Sequence, residues 1–269
     1  MDEKKLKTHQ RINDHLLGPM ERASLNWLAP RMPAWVTPDF LTGVGFFSSV
    51  LIAVSYWLTT YNKNFLWLAS LGFILNWFGD SLDGTLARYR KIERPRYGFF
   101  IDHSTDTLSE ILIFIGLGLS PYVDLTVAFI GLISYLNISI LVYLIMTTKG
   151  VFKISLAKMG PTEFRAIAIL LNLGVYIIGN PTFNTPIGPV SIYNAGVVGV
   201  TLILVGFFLY EGFTTGKELM KADDYSRQRA LEKDAEKQQR HEMKAQKKVY
   251  KKQRKALKKQ EKLNTAQVK

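Results

Sequence analysis

The sequence predicts an all-α integral membrane protein: six transmembrane helices, an interfacial amphipathic helix ahead of them and a basic helical tail behind. Three observations carry this prediction. Six apolar stretches between residues 37 and 214 each approach the ~20 residues that a helix needs to cross a bilayer. Lys and Arg gather in alternate loops between those stretches. The chain of 269 residues has a net charge of +12, most of it beyond residue 214. The expected division is therefore 1–36, an N-terminal interfacial segment; 37–214, a membrane domain; and 215–269, a basic tail.

Residues 12–35 place Leu16, Met20, Ala23 and Trp27 at helical spacing with Glu21 and Arg22 between them. That pattern suits a helix lying in the membrane interface, interrupted at Pro19. The first span is expected over 37–60, with Thr37 as cap, Pro38 at the first helical position and Asp39 in the first turn. The second covers 64–88 and the third 97–119. The fourth opens at Ser120-Pro121 and ends near Thr148. The fifth covers 162–178, capped by Thr162, and the sixth 189–213.

Loop charge sets the expected orientation. The loop 89–97 carries Arg90, Lys91, Arg94 and Arg96, and the loop 148–164 carries Lys149, Lys153 and Lys158. The opposite loops carry only Lys63. The positive-inside rule then puts both termini, and the charged end of the second and third spans, in the cytoplasm. No short apolar core follows the N-terminal MDEKKLKTHQ, so no cleavable signal peptide is expected. With no cysteine, disulfides and thiolate metal sites are excluded, and His9, His15, His103 and His241 are too scattered for a zinc site. The tail has too sparse an apolar pattern for a sustained heptad, so a basic helix against anionic headgroups is expected rather than a coiled coil. Nucleic acid is not an expected partner, because no aromatic platform or recognisable binding motif accompanies the charge.

The chemistry concentrates between Asn76 and Glu110. Asp80 and Asp83 are spaced i,i+3 near the end of one span, and Asp102 and Asp106 i,i+4 near the start of the next. At 1.5 Å per residue Asp83 and Asp102 lie ~7.5 Å inside their helix ends, Asp80 ~12 Å and Asp106 ~13.5 Å. Antiparallel helices would match Asp83 with Asp102 and Asp80 with Asp106. A single carboxylate inside a bilayer costs about 2.5–3.5 kcal/mol or more. Four facing one another also repel, and Arg88 can neutralise only one. A pair of divalent cations held by oxygen ligands, Mg²⁺ or Mn²⁺, resolves the imbalance. Asn76 and Glu110 lie one turn deeper on the same faces.

The pattern Asp80-x2-Asp83-Gly84-x2-Ala87-Arg88-x9-Gly98-x3-Asp102-x3-Asp106 resembles the signature of the CDP-alcohol phosphotransferases, also called CDP-alcohol phosphatidyltransferases. The gap of nine before Gly98 is one longer than the commonest form and falls in the polar loop. The segment WVTPDFLTG also resembles the residues preceding the first span in that family. The resemblance implies metal-dependent transfer of a substituted phosphate from a CDP-linked donor, CDP-diacylglycerol or a CDP-amino alcohol, to an alcohol hydroxyl, with release of CMP. It implies that Asp80, Asp83 and Asp102 are metal ligands and that Asp106, beside the metals, is the general base. Gly84, Ala87 and Gly98 would admit the nucleotide, and Arg88 would hold a phosphate.

The segment Gly160-Pro-Thr-Glu-Phe-Arg165 opens the fifth span. Glu163 suits a helix N-terminus, and alternatively Glu163 or Arg165 contacts substrate. A Thr-Glu pair here, with Asp102-His-x-x-Asp106, is similar to choline/ethanolamine-type members. Lys153, Lys158 and Arg165 are candidates for a basic pocket for an acceptor or lipid phosphate. Membrane lipids and a second copy in a homodimer are the other expected partners. A cation transporter would explain the acids but not the glycines and the Ala-Arg pair at these intervals, and transport sites tend toward the midplane. A non-catalytic scaffold would leave the intact signature without a role.

Overall fold

The computed structural model describes residues 10–12, 16–153, 160–186 and 188–267. A short strand β1 (Gln10–Ile12) precedes helix α1 (Gly18–Leu28), which passes into a 3₁₀ turn at Ala29–Arg31. Six long helices follow: α2 (Pro38–Leu58), α3 (Phe65–Arg90), α4 (Pro95–Leu119), α5 (Leu125–Lys149), α6 (Pro161–Ile178) and α7 (Ile192–Gln267). Strand β2 (Val151–Lys153) lies between α5 and α6 and pairs in parallel with β1, Gln10 opposite Val151. Strands β3 (Thr182–Thr185) and β4 (Gly188–Ser191) form an antiparallel hairpin ahead of α7.

Among the described residues, five helices are long and apolar enough to cross a membrane: α2, α3, α5, α6 and α7. Helix α4 is long enough, but Asp102, Asp106 and Glu110 fall within its apolar stretch. The chain is thus an α-helical membrane protein. It divides into two compact units, one up to Tyr210 and one from Glu211. The second unit is the charged part of α7, in which residues 220–244 are exposed.

Several element boundaries differ from those the sequence suggested, each for a local reason. Pro19 stands in the first turn of α1, where its missing N–H costs nothing, and does not interrupt a longer helix. The fourth helix starts at Leu125 and not at Ser120. Ser120 instead closes α4, its N–H bonded to Leu117 O, and the Asp124 N–H is held by Asn194 Oδ1 at 2.8 Å. Gly160, not Thr162, caps α6. Residues 189–191 belong to the β-hairpin, so the last helix begins at Ile192. Helix α3 runs two residues further than expected and stops at Lys91, whose left-handed φ of 57° ends the ladder.

Helix α2 packs along α3 and α4, α3 also meets α6, and α4 meets α5. Glycines set the closest approach. A Cβ at Gly79 would stand 2.4 Å from Gly45 N and 2.5 Å from Leu41 O, so α2 and α3 touch backbone to backbone there. At Gly116 of α4 a Cβ would stand 2.4 Å from Ala53 Cα of α2. Below this contact Leu25, Ala29, Val36, Leu41, Leu82 and Leu86 form one buried cluster that seats the segment around α1 on α2 and α3. Arg90 fastens the same segment: its guanidinium donates to Val36 O at 2.5 Å, Pro33 O at 2.8 Å and Met32 O at 3.1 Å. Thr37 caps α2 as its sequence suggests, accepting from Phe40 N at 3.1 Å. Deeper, Asn172 of α6 accepts from Tyr56 Oη at 2.9 Å and donates to Ser70 Oγ at 3.1 Å, joining three helices by a buried polar link.

Candidate active site

Three of the four aspartates converge. Carboxylate oxygens of Asp80 on α3 and of Asp102 and Asp106 on α4 lie within 4.8 Å of one another. The close packing of α2 against both helices brings these faces together, and the i,i+4 spacing of Asp102 and Asp106 turns both toward Asp80. Asp80 therefore meets Asp102 as well as its expected partner Asp106.

The fourth acid, Asp83, is not part of that cluster. It is buried, and its Oδ2 accepts from Thr42 Oγ1 of α2 at 2.6 Å. Its other oxygen accepts from the Gly84 N–H. Thr42 was not identifiable as a site residue from the sequence. Its only signal is its place four residues after Pro38 in α2, within the segment that resembles the family.

The cation that answers the cluster comes from α6. Arg165 Nη2 donates to Asp80 Oδ2 at 2.6 Å, and Arg165 Nε donates to Asn76 Oδ1 at 2.7 Å. Asn76 in turn donates to Gly45 O at 2.9 Å and to Ser49 Oγ at 3.0 Å. A chain of hydrogen bonds thus runs from the backbone of α2 through Asn76 and Arg165 to Asp80. Arg88, the nearest cation along the chain, does not neutralise the cluster: it is exposed and donates to Thr85 Oγ1 at 3.0 Å. Distance along the chain hid the pairing, since Arg165 lies 85 residues from Asp80.

Around this centre Glu110 lies beside Tyr135 of α5. His103 Nδ1 lies 3.4 Å from Asp102 Oδ2, and its ring stacks on Phe99 at 4.1 Å. A Cβ on Gly98 would meet nothing within 4 Å, and one on Gly84 would meet only Arg88 Nη1, at 3.4 Å. Both glycines leave free space beside their helices, with Ala87 half-buried one turn beyond Gly84.

Glu163 is buried, and both of its oxygens accept main-chain N–H groups, from Leu17 at 2.6 Å and from Gly160 at 2.8 Å. It closes the first turn of α6 and ties that turn to the residues ahead of α1. Lys158 lies outside the described residues, and Lys153 is placed only as the last residue of β2.

The donor set suits a hard divalent cation. All three converging groups are carboxylate oxygens, the ligands that Mg²⁺, Mn²⁺ and Ca²⁺ prefer. Ligands about 2.0–2.6 Å from one ion stand roughly 3–5 Å apart, which the 4.8 Å spread satisfies. Three carboxylates against one guanidinium also leave an excess of negative charge for a cation to balance.

The sequence profile of the CDP-alcohol phosphatidyltransferase family matches residues 35–208. Cholinephosphotransferase 1 of Xenopus laevis is 31% identical over 123 residues, covering 43% of this chain and 30% of that protein. Cholinephosphotransferase 1 of Danio rerio is 22% identical over 200 residues, 70% of this chain and 50% of that protein. The chain thus spans half or less of the length of these two relatives. Archaetidylinositol phosphate synthase of Pyrococcus horikoshii is 32% identical over 148 residues, 53% of this chain and 76% of that protein. By the extent of the profile match and by this last relative, the chain belongs to the CDP-alcohol phosphatidyltransferase family.

Proposed function

We propose that the protein transfers a substituted phosphate group from a CDP-linked donor to an alcohol hydroxyl and releases CMP, as a step of phospholipid synthesis. The observation that carries this reading is the convergence of Asp80, Asp102 and Asp106 from two helices, with a single arginine beside them. The family and the relatives named cholinephosphotransferase and archaetidylinositol phosphate synthase support the reaction class.

In this reading the acceptor hydroxyl oxygen attacks the donor phosphorus attached to the alcohol moiety. A new O–P bond forms, the bond to the CMP oxygen breaks, and the hydroxyl proton passes to Asp106. Asp80, Asp83 and Asp102, with Asp106 beside them, would hold two Mg²⁺ or Mn²⁺ ions. Those ions would neutralise the diphosphate and stabilise the departing phosphate. Asp83 would turn one oxygen to the metal while Thr42 holds the other. Gly84, Ala87 and Gly98 leave room for the nucleotide, and exposed Arg88 would pair with a diphosphate oxygen. Arg165 holds Asp80 in place through its bridge to Asn76. Its remaining N–H groups, with Lys153 and Lys158, would meet an acceptor or lipid phosphate. The fixed hydrogen bonds of Glu163 support a capping role for that residue.

Helix α4 is the sixth span in this arrangement, its acids facing α3 instead of lipid. Residues 37–214 form the catalytic membrane domain, 1–36 the interfacial segment, and 215–269 the tail. The active site and both termini are cytoplasmic, the side on which cytidine nucleotides are found, and the enzyme works as a homodimer. The test is to incubate purified protein with CDP-choline, CDP-ethanolamine or CDP-diacylglycerol and a panel of alcohols, following CMP and the lipid product. Formation of both from one pair names the substrates, and CMP from none of them refutes the proposal.

A further inference from the structure

The second unit of the chain carries charge that the proposed reaction does not use. That charge is not spread evenly. From Lys217 to Glu242 the tail holds seven basic and seven acidic residues; from Met243 to Lys262 it holds ten basic residues and only Glu261 as an acid. Helix α7 runs through both stretches, to Gln267.

The helical backbone converts this sequence into two faces. At about 100° per residue, all ten Lys and Arg positions between Lys244 and Lys262 fall within one arc of about 160°. The opposite arc is free of basic residues and takes Gln246, Val249, Tyr250, Gln253, Leu257 and Leu263. Over 217–242 the same construction mixes both signs around the helix. The segregation is therefore confined to one block of about five turns.

A helix with a wholly basic face and an opposite face that bears Val, Tyr and Leu, with Glu261 as its one charge, matches an anionic membrane interface. The aliphatic and tyrosine positions can enter the headgroup boundary, with the basic positions that border them on the helix, Lys247, Lys252, Arg254 and Lys259, nearest the phosphates. Nine of the ten basic residues are Lys, which suits a diffuse layer of headgroups better than the bidentate pairing that Arg provides. The block also follows apolar helices in the same chain. A folded nucleic-acid module or a stacking platform is not present in this stretch, where Tyr250 is the one aromatic residue.

We propose that residues 243–263 form an amphipathic helix that docks on anionic lipid headgroups, through a basic arc that attracts the surface and an arc free of basic residues whose Val249, Tyr250, Leu257 and Leu263 positions enter it. Attraction of about fivefold per lysine near an anionic surface makes the contact dependent on charge density and on salt.

The absence of cysteine from the chain allows a clean test. Full-length protein carrying Val249→Cys, or separately Lys255→Cys, is labelled with an environment-sensitive fluorophore. It is then reconstituted in phosphatidylcholine vesicles with or without a third of phosphatidylserine. The label at 249 should shift to the blue and be quenched by lipid-borne quenchers only in the anionic vesicles, and the label at 255 should not. The shift should vanish at high salt, where the Debye length falls from ~10 Å at 0.1 M to ~3 Å at 1 M. Adding Lys247→Gln, Lys251→Gln, Lys252→Gln and Lys258→Gln should lower the ratio of docked to free tail by roughly 10²–10³-fold, returning the signal to its value in neutral vesicles. An equal shift in neutral vesicles would point to self-association and overturn the proposal. So would no shift in anionic vesicles, or a shift that appears only when RNA is added to neutral ones.

Discussion

Replacing Arg165 by Gln should separate the stability of the acid cluster from its affinity for metal. Arg165 and Asp80 are 15% and 20% exposed in their side chains, so their 2.6 Å bridge is largely shielded from solvent. Removing one partner of a buried pair costs about 3–5 kcal/mol, because the other charge is left uncompensated. Here the residual exposure places the loss near ~3 kcal/mol. For a domain of this size ~1 kcal/mol moves the melting temperature by about 2–4 °C, so Arg165→Gln should melt roughly 6–12 °C below the parent in chelator. The sign reverses for the metal. Without the competing guanidinium, Asp80 offers its Oδ2 to a cation, and a divalent ion supplies the charge that was lost. Mg²⁺ or Mn²⁺ should therefore raise the melting temperature of the variant more than that of the parent. Arg165→Lys should fall between the two, since it keeps the charge but loses the fork that reaches Asn76 and Asp80 together. The assay is thermal unfolding in detergent across a metal titration. A variant that melts with the parent in chelator, or gains no more from metal, would refute the assignment of Arg165 as the partner of the cluster.

Asp106→Asn should lower turnover by about 10²–10⁴-fold, the usual contribution of a general base, while CDP-substrate binding survives; turnover unchanged, or restored by excess metal alone, would remove Asp106 from that role. Gly79→Ala should reduce folding yield, because its Cβ would stand 2.4 Å from Gly45 N, whereas Gly98→Ala meets nothing within 4 Å and should fold normally but raise KM for the CDP donor. Measuring the melting temperature and KM of both variants checks this contrast. Deleting 220–269 should leave turnover largely intact, since the signature lies wholly between Asp80 and Asp106; a correctly inserted but inactive truncation would show that the tail contributes to catalysis.

The convergence of Asp80 and Asp106 is readable because it depends on local periodicity, whereas the expected match of Asp83 with Asp102 is not what the helices form. The spacing of Asp102 and Asp106 puts them on one face of any helix, and the apolar runs on either side fix which helices carry them. Thr37 and Pro38 announced the start of α2 for the same reason. Long-range partners had no such signal. Arg165 reached Asp80 only because α6 packs on α3, and Thr42 reached Asp83 only because the glycines at 45 and 79 let α2 approach so closely. Glu163 satisfied two main-chain donors, one of them 146 residues away, which its position at a helix start explains only in part. Helix ends shifted where a tertiary hydrogen bond overrode the local cue, as Asn194 does for Asp124 ahead of α5. The pairing β1–β2 and the hairpin β3–β4 leave no sequence signal, because strands of three or four residues carry too little alternation to read.

The most direct measurement is CMP release by purified protein from a CDP-linked donor in the presence of an alcohol acceptor, first in chelator and then with Mg²⁺ or Mn²⁺ restored. CMP and lipid product in equal amounts, absent in chelator, recovered with metal and lost in Asp80→Asn and Asp102→Asn, is the expected result. Release that persists undiminished in chelator, or in those two variants, would contradict catalysis by the carboxylates of α3 and α4.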